Sequence, residues 1–182
     1  LANKTGFDAT TIHKAIYMSA GFVVKTVKDV AESEFKLHFP IGETDGNLVA
    51  IVDEASMLCS MTVEQELYQF GTDNLMDDLL TFVRPSFGGK VIFVGDPAQL
   101  PPVGESVSQA LNADFFINKG LKVMQAELRE VLRQTGDSVI LKNAMQIRNL
   151  LESEIRNRLI FDEKEGDVVS LPAHELLDRY MH

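Results

Sequence analysis

The residues LVAIVDEAS at positions 48–56 and VIFVGDPAQ at positions 91–99 share one pattern and indicate the fold class. In both, a run of apolar residues leads directly into acidic side chains. An unbroken apolar run of this kind is typical of a strand buried on both faces of a parallel sheet. Because a helical pattern lies between the runs, strand, helix and strand predict a parallel crossover.

The sequence on either side of this pair predicts further helices and strands. Upstream, the periodicity predicts a helix over residues 8–17 and a short alternating strand over 35–39. Between the two runs, the capping-box spacing of Thr62 and Gln65 predicts a helix that Gly71 ends. The other predicted elements are a helix over 75–83, a strand over 121–128, a helix over 138–151, a strand over 168–171 and a helix over 175–181. The fold class is therefore α/β with a mostly parallel sheet.

Composition and charge exclude several classes of protein. The 182 residues are 45% hydrophobic and 24% charged, as in a folded globular protein and unlike a disordered or fibrous one. The net charge of −10 argues against a protein that coats nucleic acid through bulk charge. Cys59 is the only cysteine, so neither an intrachain disulfide nor a cysteine cluster can form. We expect a cytoplasmic protein without a membrane partner.

The acids that follow the two apolar runs are the first candidate site. If the two strands are neighbours, Asp53, Glu54, Asp96 and Gln99 lie at one edge of the sheet, where α/β proteins bind ligands. Adjacent carboxylates after a buried strand are how nucleotide hydrolases hold Mg²⁺ and polarise the attacking water. The alternative is that such acids only cap the next helix or turn.

The segment Gly95–Val103 is the more specific signal. Prolines fix its backbone, and Gly95 permits a tight exit from the strand. Gln99 can both donate and accept hydrogen bonds, which suits a side chain that senses a phosphate. A turn whose prolines only end a strand would explain neither Asp96 nor Gln99.

Four segments together resemble superfamily 1 DNA helicases of the RecD-like branch, the exonuclease V alpha subunit type. They are residues 11–13, 52–57, 94–103 and 128–134, in the order and spacing of that family's motifs. The resemblance implies a three-layer RecA-like P-loop NTPase fold. It also implies an ATP-dependent helicase that uses ATP and Mg²⁺ to move on single-stranded DNA. Other subunits of a helicase complex are further expected partners, and DNA repair is an expected context.

The resemblance also implies roles for individual residues. Asp53 would hold Mg²⁺, and Glu54 would activate the hydrolytic water. Gln99 would contact the γ-phosphate and couple hydrolysis to DNA. Arg133 would act as an arginine finger that offsets charge on the transferring phosphoryl group.

The remaining implied contacts are with nucleotide and with DNA. Gly95 and Asp96 would lie on the nucleotide side of the site. Thr11 and His13 match the element that lies near single-stranded DNA in the family. A single histidine on an amphipathic helix is also commonly a packing or capping residue, and that alternative stays open.

The phosphate-binding loop of the family does not occur in the sequence. Gly89-Lys90 is the only Gly-Lys pair, and it is followed by Val91 where Ser or Thr is needed. The family's last motifs are also missing. We therefore expect a central piece of a longer helicase, truncated at both ends and inactive alone. Residues 1–125 would form most of the first motor domain, and residues 126–182 the start of the second.

Two other functions remain as alternatives. The first is a non-catalytic RecA-like interaction module that keeps the fold without the motor. The second is a metal-dependent nuclease, for which Glu34-Phe35-Lys36 has a suitable spacing. Cys59 is interpreted as a small core residue and not as a nucleophile.

Overall fold

A computed structural model of the chain describes residues 6–18, 21–27, 34–44, 48–84, 88–128, 138–152, 161–164, 168–172 and 174–175. The chain divides into two units, Leu1–Gln125 and Ala126–His182. That these units are parts of two motor domains stays a prediction.

The first unit contains both strands and short helices, in agreement with an α/β fold. In chain order its elements are α1 (Ile12–Tyr17), β1 (Val23–Val27), β2 (Glu34–Phe39), β3 (Val49–Val52), β4 (Tyr68–Phe70), α2 (Leu75–Val83), β5 (Lys90–Phe93) and α3 (Ala113–Asn118). Short 3₁₀ helices at Ala55–Met57 and Gln109–Leu111 complete the unit.

The strands form two separate sheets within the described residues, and not the single, mostly parallel sheet that the sequence predicts. The first sheet has the order β1-β2-β4, with β1 antiparallel and β4 parallel to β2. The second contains β3 and β5, paired in parallel from Val49 opposite Lys90 to Val52 opposite Phe93. The predicted pairing of the two decisive runs is thus confirmed. The three-layer arrangement stays a prediction.

The prediction that β3 and β5 are buried on both faces is wrong. Their burial alternates, because Ala50, Val52 and Phe93 pack against the core while the intervening side chains do not. Ile51 is 68% exposed and Ile92 is 47% exposed. An apolar run cannot distinguish a sheet covered on both faces from one covered on a single face, and in the described part of the chain one face is uncovered.

Helix α2 supplies much of the core of the first unit. Asn74 caps it by accepting a hydrogen bond from the backbone nitrogen of Asp77 at 3.0 Å. Met76, Leu79 and Val83 are buried along one face, as the periodicity predicts. Each such side chain stabilises the fold by roughly 1.5–3 kcal/mol. The buried apolar residues of the core are Ile16, Tyr17, Ala55, Leu58, Met76, Leu79, Val83, Ala110 and Phe116.

The helix predicted to begin near Thr62 and end at Gly71 is wrong. Residues 61–67 are irregular and lead into strand β4. The backbone nitrogen of Leu37 donates to the carbonyl of Leu67 at 2.9 Å, and that of Gly71 donates to the carbonyl of Phe39 at 2.8 Å. Pairing with β2 therefore outweighs the local capping signal.

Two predicted strands are also wrong, and the last predicted helix lies mostly outside the described residues. Residues 121–128 are described but form no strand. The strand predicted over 168–171 is reduced to one antiparallel bridge between Lys164 and Val168. Apolar content within a segment does not provide a pairing partner for a strand.

The second unit is described chiefly through the helix α4 (Val139–Glu152), which confirms the predicted helix. Ser138 precedes it, and its hydroxyl accepts a hydrogen bond from the backbone nitrogen of Leu141 at 3.4 Å. Asn143 is buried and exchanges two hydrogen bonds of 2.9 Å with the backbone of Asp162. Lys142 pairs with the carboxylate of the same aspartate. No helix within the described residues is long and apolar enough to span a bilayer.

Candidate active site at the ends of strands β3 and β5

The parallel pairing of β3 with β5 brings the two motif-bearing turns to the same edge of the sheet. Val52 lies opposite Phe93 at the last paired position. Beyond it, the backbone nitrogen of Val94 donates to the carbonyl of Val52 at 2.9 Å, and that of Ala55 donates to the carbonyl of Val94 at 2.9 Å. The chain segments on either side of Asp53-Glu54 are therefore hydrogen-bonded to the segment that enters the Gly95 turn.

Asp53 and Glu54 are both exposed at this edge. The backbone nitrogen of Glu54 donates to Oδ1 of Asp53 at 3.1 Å. Glu54 itself has φ 52° and ψ 39°, in the left-handed region. A non-glycine residue in this region carries roughly 1–2 kcal/mol of strain, and such strain is concentrated at functional sites. The turn holds two adjacent carboxylates in solvent at a cost in stability.

Gly95 allows the two turns to lie against each other. A Cβ atom added at this position would lie 2.9 Å from the backbone nitrogen of Ser56 and 3.2 Å from that of Ala55. The first distance is shorter than Cβ atoms adopt and the second is tight, so close approach of the backbone explains the glycine. Ser56 is buried, and its hydroxyl has no hydrogen-bond partner among the described residues.

The loop after Gly95 is shaped by Asp96. Its Oδ1 accepts a hydrogen bond from the backbone nitrogen of Ala98 at 3.0 Å, and its carbonyl accepts one from that of Gln99 at 3.0 Å. This Asx turn is a second use of Asp96, distinct from the predicted contact with nucleotide. The role of Asp96 at the nucleotide stays a prediction.

Gln99 is exposed and lines a surface cavity of about 340 Å³. The other lining residues are Pro97, Pro101, Ser106, Val107, Ser108, Leu111 and Asn112. Asp53 and Glu54 are not part of this lining. The structure thus brings the two turns to one edge, while the cavity beside Gln99 opens on its own loop and on the segment that follows it.

The predicted DNA-side residues lie on helix α1. Thr11 is the N-cap residue, but its side chain makes no capping hydrogen bond. The His13 ring packs against Tyr17, with centroids 5.9 Å apart, and edge-on against Phe70 at 5.7 Å. His13 is exposed and makes these ring contacts, and a contact with DNA stays a prediction. Arg133 lies outside the described residues.

The donor set at the edge fits Mg²⁺ in part. Mg²⁺ prefers oxygen ligands and is commonly bound through one or two carboxylates together with substrate phosphates and waters. The exposed carboxylate of Asp53 suits this mode, and Glu54 beside it suits a role at a water molecule. No cluster of three or more metal-binding side chains occurs in the part of the chain that the structure describes. Residues that would cradle the phosphates are not found in the 182-residue sequence.

Sequence reasoning missed a buried carboxylate and its network. Asp78 is fully buried and accepts hydrogen bonds from the hydroxyl of Tyr17 at 2.7 Å and from that of Thr72 at 2.7 Å. Burial, followed by the bond to Asp78, raises the pKa of Tyr17 well above its usual range. Asp78 occurs in an apolar helix face between Met76 and Leu79, and that position was the available signal.

Sequence reasoning also missed Glu105, which connects the loop after Gly95 with the segment that follows Glu54. The backbone nitrogen of Ser60 donates to Oε1 of Glu105 at 2.6 Å, and the Ser60 hydroxyl donates to Oε2 at 2.9 Å. Burial acts to raise the pKa of Glu105, but hydrogen bonds from Ser60, Cys59 and Met61 outweigh it and lower the pKa. Burial and the nearby Glu105 raise the pKa of the Cys59 thiol, so Cys59 is a poor nucleophile.

Comparison with known proteins agrees with this geometry at the level of the family. A family model described as an AAA domain matches residues 1–159 of the chain. The chain belongs to this AAA domain family. Such domains are P-loop proteins with a RecA-like fold that generally hydrolyse ATP, in agreement with an α/β unit whose acids follow parallel strands. No curated protein and no solved structure matches the chain.

Proposed function

We propose that this AAA domain is part of a RecD-like ATP-dependent DNA helicase that couples ATP hydrolysis to movement on single-stranded DNA. The observation that carries the proposal is the parallel register of β3 and β5, with Val52 opposite Phe93. It brings the Asp53-Glu54 turn and the turn that begins at Gly95 to one sheet edge. Nucleotide sites of open α/β sheets lie at such edges.

The proposed roles at this edge follow from exposure and chemistry. Asp53 binds Mg²⁺, and its exposed carboxylate leaves oxygens available to the ion or its water shell. Mg²⁺, when bound, neutralises charge on the β- and γ-phosphates. Glu54 accepts a proton from the attacking water, for which its solvent-facing position at the end of β3 is suitable.

The loop residues complete the proposed nucleotide site. Gln99 contacts the γ-phosphate through its amide, which can donate to a phosphate oxygen and accept from the water. Gly95 and Asp96 shape the loop on the nucleotide side. Arg133 acts as the arginine finger, and its positive charge would stabilise the transferring phosphoryl group.

Single-stranded DNA is the proposed partner of the helicase, and other subunits of a helicase complex are further ones. Thr11 and His13 would lie near the DNA. The acidic net charge of −10 means that DNA binding would depend on a local track and not on bulk attraction.

The test is ATP hydrolysis by the protein expressed from the complete reading frame, with and without single-stranded DNA. We expect turnover that DNA stimulates, together with strand displacement on a tailed duplex. The 182-residue chain should hydrolyse little ATP under the same conditions, because no phosphate-binding loop occurs in it. A protein that binds a partner but shows no turnover would favour the interaction module. DNA cleavage without hydrolysis of ATP would favour the nuclease.

A further inference from the structure

Glu105 fastens the far end of the loop that carries Gln99 to the segment that follows Asp53 and Glu54. We call residues 95–105 the Gln99 loop and residues 53–60 the Asp53 segment. Both carboxylate oxygens of Glu105 accept hydrogen bonds from Ser60, one from its backbone nitrogen at 2.6 Å and one from its hydroxyl at 2.9 Å. Hydrogen bonds to an ionised carboxylate are roughly twice as strong as those between neutral groups.

The near end of the Gln99 loop is attached to the same segment. Just before the loop, the carbonyl of Val94 accepts a hydrogen bond from the backbone nitrogen of Ala55 at 2.9 Å. At the first residue of the loop, Gly95 lies so close to Ser56 that a Cβ atom would approach its backbone nitrogen to 2.9 Å. The Gln99 loop is therefore attached to the Asp53 segment at both ends.

Between these attachments the loop is stiff. Pro97, Pro101 and Pro102 restrict its backbone, and Pro102 is buried. A turn in which the backbone nitrogen of Glu105 donates to the carbonyl of Pro102 at 3.1 Å closes its far end. In that turn Gly104 has φ +86°, and a Cβ atom there would lie 3.0 Å from the Met61 side chain. A stiff loop fixed at both ends leaves Gln99 few positions relative to the Asp53 segment.

We propose that Glu105 is a positioning residue that sets where Gln99 stands relative to Asp53 and Glu54 during ATP hydrolysis. This inference rests on the function proposed above. Glu105 acts through Ser60 and does not touch the nucleotide. Loss of the carboxylate would free the far end of the loop and leave the sheet and its core unchanged. Misplacement of a catalytic group by about 1 Å can reduce a rate by about a hundredfold.

The test is the substitution Glu105→Gln in the protein expressed from the complete reading frame. Gln retains one acceptor oxygen, but its amide nitrogen cannot accept the second bond from Ser60. We expect kcat for ATP hydrolysis to fall by about tenfold to a hundredfold, while KM for ATP changes by less than about twofold. The melting temperature should change little.

Two further variants make the result specific. Ser60→Ala removes the hydroxyl and keeps the backbone donor, so it should lower kcat less than Glu105→Gln does. The double variant should reduce kcat by less than the product of the two single-variant reductions, because both substitutions act on the same hydrogen-bonded pair. The matched control is Glu66→Gln, an exposed glutamate outside the Gln99 loop, which should leave kcat unchanged.

The outcomes separate this inference from the proposed function. A wild-type protein without ATP hydrolysis would overturn the proposed function itself. A wild-type protein that hydrolyses ATP beside a Glu105→Gln variant with normal kcat would overturn only the positioning role. A variant in which kcat, KM and melting temperature change together would show a merely structural role and would also overturn it.

Hydrogen exchange on the 182-residue chain tests the attachment without catalysis. In Glu105→Ala, which removes both acceptor oxygens, the backbone amide of Ser60 should exchange about tenfold faster or more, with the exchange of β3 and β5 unchanged. Equal exchange at Ser60 in both chains would mean that the attachment does not exist.

Discussion

The carboxylate of Asp78 and those of Asp53 and Glu54 belong to the same unit but have opposite surroundings. Asp78 is fully buried in α2, and hydrogen bonds from Tyr17 and Thr72 engage both of its oxygens. Asp53 and Glu54 are exposed at the end of β3, where the backbone of Glu54 is strained. A buried charge is tolerated only when its hydrogen bonds are satisfied, whereas a carboxylate that binds metal or water must keep oxygens available.

Burial and hydrogen bonding therefore separate structural from functional acids in this fold. Asp78 joins α1, the segment after β4 and α2, because Tyr17, Thr72 and Asp78 come from these three places. Its loss should therefore reduce stability. Asp53 and Glu54 contribute little to packing, so their loss should reduce activity and leave the fold intact.

The largest expected effect on stability is that of Asp78→Ala. The substitution leaves the buried Tyr17 hydroxyl without its acceptor and also removes the bonds from Thr72, so the free energy of unfolding should fall by about 3 kcal/mol. The control is Asp77→Ala, next in the sequence, whose carboxylate forms a half-exposed ion pair with Lys119 at 2.7 Å. The substitution Asp77→Ala should lower the free energy of unfolding by less than about 1 kcal/mol. Equal losses in urea unfolding of the two variants would refute the structural role of Asp78.

A smaller loss is expected from Gly71→Ala. An added Cβ would lie 2.2 Å from Oδ2 of Asp78, and Gly71 has φ +52°. Gly120 has φ +77° and open space around the added atom, so Gly120→Ala measures the backbone cost alone. Gly71→Ala should therefore be less stable than Gly120→Ala by about 2 kcal/mol in urea unfolding. If the two variants unfold alike, the close packing of Gly71 on Asp78 is wrong.

At the exposed site, the variant Glu54→Gly should be more stable than the variant Glu54→Ala. Glu54 has φ 52°, so Glu54→Gly relieves the left-handed strain that Glu54→Ala retains. Relative to Glu54→Ala, the glycine variant should be more stable by about 0.5–1 kcal/mol. Both variants should lack ATP hydrolysis when made in the protein from the complete reading frame. A glycine variant that is less stable than the alanine variant would contradict the strained turn.

The smallest effect concerns pH and Glu105. Its folded-state pKa lies below the ordinary value of 4.5, so the stability from its bonds to Ser60 is fully present above that value. It is lost as the pH falls through the folded-state pKa. The difference in unfolding free energy between wild type and Glu105→Gln should therefore be constant at neutral pH and shrink below about pH 4.5. If this difference in unfolding free energy grows as the pH falls, the pKa of Glu105 is not lowered by its bonds to Ser60.

Several elements could be predicted from the sequence because local pattern and tertiary pairing agree in them. Strands β2, β3 and β5 and helices α2 and α4 are of this kind. Strand β4 was missed because its hydrogen bonds to β2, some thirty residues earlier in the chain, outweigh a local helix signal. The exposed face of β3 and β5 was missed because hydropathy does not show which face of a sheet is covered.

In the candidate site, too, some features could be predicted from the sequence and others could not. That Asp53-Glu54 and Gly95-Asp96 share one sheet edge followed from two apolar runs with acids at their ends, and the register confirms it. The buried Asp78 could not be predicted as a network, because Tyr17 lies 61 residues away in the sequence. The attachment of Glu105 to Ser60 joins residues 45 apart and leaves no local pattern.

The most direct test of the central claim is steady-state ATP hydrolysis by Glu54→Gln in the protein from the complete reading frame, with saturating single-stranded DNA. The substitution keeps the size of the side chain and removes the base, so kcat should fall by about a hundredfold or more. ATP binding and the melting temperature should remain as in wild type. A variant that hydrolyses ATP at the wild-type rate would contradict the claim that the edge formed by β3 and β5 is the hydrolytic site.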